Sequence, residues 1–192
     1  MNDCQNIQAT SRIVASYLDT GEVVADFTNA VHPQNMARII ARGLARETNG
    51  WIHKMAFGNG GTHINSGLTI TYLTPNTVGT AASLYNQTYE EIIDDSNVSV
   101  GPGNSCISSA SPDPAITSVV TCTCVIAANE PSGQANSDGT TTDPDSLYTF
   151  DELGLFTADA QPLMLTHAIF SPIEKTGNRA MLINYTLTIS VN

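Results

Sequence analysis

Apolar positions along this chain recur mostly with a period of two. In the last run, RAMLINYTLTISVN, residues Met181, Ile183, Tyr185, Leu187, Ile189 and Val191 fall on odd positions, while Asn184, Thr186, Thr188 and Ser190 fall on even ones. Side chains two apart on a strand share a face, so this run predicts an antiparallel strand with one face in a core. TFDELGLFT and LMLTHAIFSPI read as two further strands, set apart by ADAQP and EKTGN. Upstream, residues 12–27 form a strand pair turning at Asp19-Thr20-Gly21, and WIHKMAF alternates Trp51, His53, Met55 and Phe57 with Ile52, Lys54 and Ala56. In TSVVTCTCVIAAN the residues Val120, Cys122, Cys124, Ile126 and Ala128 share one face of another strand.

One segment changes period. PQNMARIIARGLARE places Met36, Ile39, Ile40, Gly43 and Leu44 at i, i+3, i+4, i+7 and i+8 behind a first-turn Pro33. That spacing predicts a helix over about residues 33–47, with a buried stripe and an end at Asn49-Gly50. The fold class is mainly β: an antiparallel β-sandwich with one packed α-helix, in a single domain over residues 1–192. Two polar stretches marked by Pro and Gly, at about 99–115 and 129–147, read as long exposed loops. NQTYEEII fits either a short strand or a turn of helix.

The strand WIHKMAF runs into GNGGT, which raises the question of a phosphate loop. Such a loop needs glycines between a strand and a helix, closed by a Lys-Ser or Lys-Thr pair. Here the following THINSGLTITYLTP is polar and β-prone, and no such pair occurs. The glycines are therefore expected to supply positive φ angles in a strand-ending loop, with no role in nucleotide binding.

Charge narrows the function classes. Seven Lys and Arg stand against eighteen Asp and Glu, a net −11, and only 13% of residues are charged, against roughly 25% in an average chain. Thr, Ser and Asn fill the deficit. Binding to nucleic acid or to an anionic membrane surface needs clustered basic side chains, which this sequence lacks. No apolar run approaches the ~20 residues of a membrane span, and MNDCQNIQATSR lacks the order of a signal peptide, so synthesis in the cytoplasm is expected.

The candidate chemistry is sparse. Cys122 and Cys124 are expected to be small core residues, with a bridge involving Cys106 or Cys4 left open. Asp95, Asn97 and Ser99 have a calcium-loop spacing, but Val100 and Cys106 stand where that loop needs Gly and Glu. His53 and His167 are expected to be hydrogen-bonded structural residues. The pairs Glu90-Glu91, Asp94-Asp95 and Asp151-Glu152 point to opposite faces if on strands, and solvation is their expected role. No catalytic residue, metal site or cofactor site follows. Arg38, Arg42 and Arg46, spaced four apart on one helix flank, form either a solvated face or a docking ridge for an acidic partner.

The order of parts resembles small structural proteins of tailed bacteriophages. The likeness lies in WIHKMAFGNGGT after a helix and in FDELGLFT followed by LMLTHAIFSPIEKTGNRAMLINYTLTI, covering about residues 30–65 and 149–191. It implies a virion component of the neck, collar, baseplate or fibre attachment, working as a symmetric homo-oligomer among other virion proteins. On that reading Arg38, Arg42, Arg46, Thr186 and Thr188 are candidate assembly contacts, Gly154 marks a close backbone approach or a bulge, and Pro172 lies at a sheet edge. It gives no place to a cofactor, a nucleic acid, a membrane or a small-molecule substrate. Capsid decoration is a variant of this reading. A receptor- or carbohydrate-binding module is an alternative, against which neither long loop holds a Trp or Tyr.

Overall fold

The computed structural model describes residues 6–110, 117–134 and 147–191. Its strands are β1 (Ile7–Tyr17), β2 (Val23–Phe27), β3 (Ala30–Val31), β4 (Lys54–Gly58), β5 (Thr62–Ile64), β6 (Ile70–Tyr72), β7 (Gln87–Ile92), β8 (Ser105–Ala110), β9 (Thr117–Ile126), β10 (Leu147–Phe156), β11 (Met164–Thr176) and β12 (Met181–Val191), with one helix, α1 (Pro33–Leu44). Two five-stranded antiparallel sheets, ordered β2-β1-β12-β9-β8 and β3-β11-β10-β4-β7, form the sandwich, and β5-β6 is a separate hairpin.

The first sheet follows from alternation. Across β1, β12 and β9 the register stacks Ile13, Tyr185 and Cys122 in one row and Ala15, Ile183 and Cys124 in the next. All six are buried. The opposite face carries Thr10, Thr188 and Val119, then Arg12, Thr186 and Thr121. The second sheet supplies Met55, Phe57, Phe150, Leu155 and Leu165 to the same core, with Phe57 and Phe150 rings 5.4 Å apart. Buried apolar area at roughly 25 cal/mol per Å² is what holds the two sheets together.

The runs of β1, β9 and β12 alternate as expected, though Ala128 lies beyond β9. Of WIHKMAF only Lys54 onward is strand, buried without alternation, and Trp51 before it is 44% exposed. NQTYEEII is strand β7, and a hairpin joins β1 to β2 with Gly21 at φ 69°. The helix stops earlier than its periodicity suggests. Its cap is Ala45, and Arg46 takes a left-handed φ of 54°. Arg46 N–H then donates to Gly43 O at 3.2 Å and Glu47 N–H to Arg42 O at 3.0 Å. This is a Schellman closure with an arginine in the usual glycine place. Met36 and Ile39 are buried, but Leu44, expected in the stripe, is 83% exposed. The returning chain crosses the helix at Gly43, where a Cβ on Gly50 would sit 2.8 Å from Gly43 N.

The expected loop at 99–115 contains strand β8. SCISSA has no apolar face to betray it, and its pairing with β9 alone makes it a strand. Residues 111–115 of that loop, and 135–146 of the other, lie outside the described residues, as does Cys4. Pro172 falls where the register of β10 with β11 shifts, past the two residues that pair with β3. Bulges and edges are where a strand tolerates proline.

The two faces of β12 are expected to respond differently to charge. Ile183 and Leu187 are each 1% exposed, so aspartate at either buries an unpaired carboxylate and costs about 3 kcal/mol or more. Thr186→Asp and Thr188→Asp, on the half-buried outward face, should cost no more than about 1 kcal/mol. Urea unfolding of the four variants checks this, and equal losses on both faces would contradict the one-sided burial.

Candidate functional site

The densest polar cluster is buried where β10, β11 and the turn after β4 meet. Its centre is FDELGLF, whose strand β10 lies between β4 and β11 and is buried from Phe150 to Phe156. Asp151 is 3% exposed and Glu152 fully buried. Solvation is therefore not their role. Glu152 accepts from Asn86 N–H at 2.7 Å, Tyr85 N–H at 2.9 Å, Gly60 N–H at 3.2 Å and His167 Nε2 at 3.0 Å. His167 Nδ1 in turn accepts from Asn76 N–H at 2.8 Å. That bond assigns the ring proton to Nε2, so His167 donates to Glu152. Asp151 accepts from Gly61 N–H at 2.9 Å, Thr62 N–H at 2.8 Å and Thr62 Oγ1 at 2.5 Å. Together the two carboxylates and the histidine pin the segments around residues 60–62, 76 and 85–86 to β10 and β11.

The electrostatics of the pair diverge. Burial pushes the Glu152 carboxyl up, but the bonds from His167, Asn86 and Tyr85 outweigh it and the net shift is downward. At Asp151 burial wins over the bonds from Thr62 and Gly61, and the net shift is upward. Divergent neighbouring carboxyls can serve as an acid and a base. Here their oxygens are occupied by backbone donors, and none of the four principal cavities is lined by Asp151, Glu152 or His167. What the arrangement does is fix loops.

This cluster also answers the GNGGT question. Gly58, Gly60 and Gly61 are not among the described glycines with positive φ, which are Gly21, Gly79 and Gly103. The constraint is space. A Cβ on Gly58 would lie 2.5 Å from Glu152 Oε1, one on Gly60 2.7 Å from Asn86 N, and one on Gly61 2.9 Å from Asp151 O. Gly154 on β10 is similar, with Thr166 O 2.7 Å from a Cβ position. The chain passes so near Tyr85-Asn86 and the Asp151-Glu152 stretch of β10 that only glycine fits.

Other buried polar groups act in the same way. Trp51 Nε1 donates to Asp94 at 2.8 Å, and His53 Nδ1 lies 3.3 Å from the same oxygen. Lys175, fully buried, donates to Glu130 O at 2.6 Å. His32 caps α1 by accepting from Asn35 N–H at 3.2 Å while Nε2 meets Gly79 O at 2.8 Å. Cys106 and Cys122 face each other across β8 and β9 as thiols, with sulfurs 3.2 Å apart, and Cys124 is buried. Among the described residues no group of three His, Cys, Asp or Glu is placed to hold a metal ion.

Of the three arginines expected on one flank, Arg38 and Arg42 share it and Arg46 does not. Arg38 is exposed on α1; Arg42 pairs with Asp159 at 2.7 Å, with its side chain only 17% exposed. Arg46 lies beyond the helix in its closing turn. A groove of about 780 Å³ joins Arg38 and Arg42 to Lys54, and Lys54 is itself bound to Glu90 at 2.6 Å. Thr186 and Thr188 lie on the outward face of the central strand β12, both half-buried. No family model, curated protein or solved structure matches the chain.

Glu152→Gln should destabilise the fold by about 3 kcal/mol at neutral pH, because an amide nitrogen then faces backbone donors. The sign with pH is fixed by direction. Glu152 has a lowered folded pKa, so its contribution is complete above its unfolded value of about 4.3 and is lost as pH falls through the folded one. Asp151, with a raised folded pKa, opposes this, since its ionisation above about 3.9 works against the fold. The gap in melting temperature between wild type and Glu152→Gln should therefore close on acidification below about pH 4. Gly58→Ala should cost about 2 kcal/mol at any pH, by overpacking.

Proposed function

We propose that this chain is a structural subunit of a tailed-bacteriophage virion, forming a symmetric homo-oligomer on the neck, collar or tail. One observation carries the reading. The separate stretches that resemble phage structural proteins come together as one body, with β10 bordered by β4 and β11 and Glu152 of FDELGLF holding Gly60 of GNGGT. The resemblance thus follows a physical unit, a locked turn on a buried strand. Its charged groups serve rigidity, which is what a subunit under load in a particle requires.

The surface is compatible with repeated contacts between copies. The outward face of the first sheet presents Thr10, Thr121, Thr186 and Thr188 without a carboxylate among them. The one carboxylate on the strands of this face, Asp26, is paired with Arg12 at 2.6 Å, so in a chain of net charge −11 the face brings little unpaired negative charge to a contact between copies. Capsid decoration uses the same properties and belongs to the same class.

The test is the composition of purified particles. Mass spectrometry of virions carrying this gene should find the chain at a fixed multiple of the major tail or neck proteins. Thr186→Asp with Thr188→Asp should reduce its incorporation while the free subunit stays folded. Absence of the wild-type chain from intact particles overturns the proposal.

A further inference from the structure

Two apolar features lie at opposite ends of one strand. Beyond the end of β4, the hairpin β5-β6 runs beside β11, with every residue from His63 to Tyr72 exposed. Its apolar side chains face solvent: Ile64 is 69% exposed, Leu68 87%, Ile70 38% and Tyr72 52%. A two-stranded hairpin has little stability of its own, and this one is held at its base by Asp151 on Gly61 and Thr62 and by Leu73 N–H on Gly61 O. It is a rigidly mounted apolar arm.

Just before the start of β4, Trp51 and Ile52 line a cleft of about 750 Å³ beneath α1. Its walls are Met36, Ile40, Leu44 and Leu187, with Asp95 exposed at its rim and Asp94 buried behind Trp51. That volume lies within the roughly 300–1,000 Å³ of built binding pockets. The arm carries no acidic residue between Thr62 and Tyr72, and His63 is its one titratable group besides Tyr72. Ile64, Ile70 and Tyr72 share one face of the arm, and a knob without carboxylates suits an apolar cleft with an acidic rim, where most of the surface of so acidic a chain does not.

We propose that the β5-β6 arm of one copy inserts into the cleft under α1 of the next. Because the two surfaces differ and flank opposite ends of β4, the contact is head-to-tail. Repeated, it gives a closed ring or an open column, not a two-fold dimer. This rests on the homo-oligomer reading and specifies its geometry.

The test uses the full chain with one change on each side. Ile64→Lys with Leu68→Lys disables the arm, and Leu44→Glu disables the cleft. All three positions are exposed, so both variants should melt like wild type. In sedimentation across a concentration series, wild type should associate and each variant alone should be monomeric. Mixed together, they should form a dimer of one copy each and nothing larger, since one intact arm and one intact cleft remain per pair. Variants that associate like wild type overturn the inference and leave the homo-oligomer reading standing. Monomeric variants that fail to dimerise on mixing also overturn it. A wild type that is monomeric at every concentration removes both, and saturable uptake of an apolar dye by that monomer would make the cleft a small-molecule site.

Discussion

The structure depends on one ionised carboxylate kept out of water. An isolated buried charge is prohibitive, and Glu152 is tolerated only because backbone and histidine donors surround it. The donors come from three separate parts of the chain, at Gly60, Tyr85-Asn86 and His167, so meeting the demand of one side chain dictates the paths of several segments. The turn after β4 must pass within contact distance, which removes every side chain from Gly58, Gly60 and Gly61. His167 must hold one tautomer, which Asn76 secures. The arm that rises from this turn is aimed by the same constraint.

Strand β12 was legible in the sequence because burial on one face leaves an odd-even signature. The start of α1 was legible for a similar reason, since Pro33 and the spacing of Met36 and Ile39 are local. The helix end was not, because Arg46 closes it in a conformation that glycine usually supplies. Strand β10 is buried on both faces, so alternation vanishes there. A carboxylate in such a run reads as surface when its backbone donors are 66 to 92 residues away. Strand β8 was hidden for the opposite reason: small polar residues on both faces give no period at all.

Charge spacing misled most where tertiary contacts intervened. Three arginines four apart suggest a common flank on an ideal helix. One of them meets Asp159, more than a hundred residues on, and another lies outside the helix. Likewise the paired acids at Asp151 and Glu152 do point to different partners, as adjacent strand residues should, yet both partners are protein. Periodicity predicts which way a side chain points; it does not say whether water or backbone is waiting there.

Chain order gives the sheet arrangement a consequence for synthesis. In the first sheet β12 is the strand between β1 and β9, although more than 160 residues separate the start of β12 from the end of β1. During translation β1 and β9 emerge with the strand that joins them still unmade. The half-built sheet exposes Ile13, Ala15, Cys122 and Cys124 along open edges until residues 181–191 leave the ribosome. Such long-range pairing is slow and vulnerable to association with the wrong partner. The nascent chain therefore has a window in which a chaperone, or a neighbouring copy on the same message, competes with its own last strand.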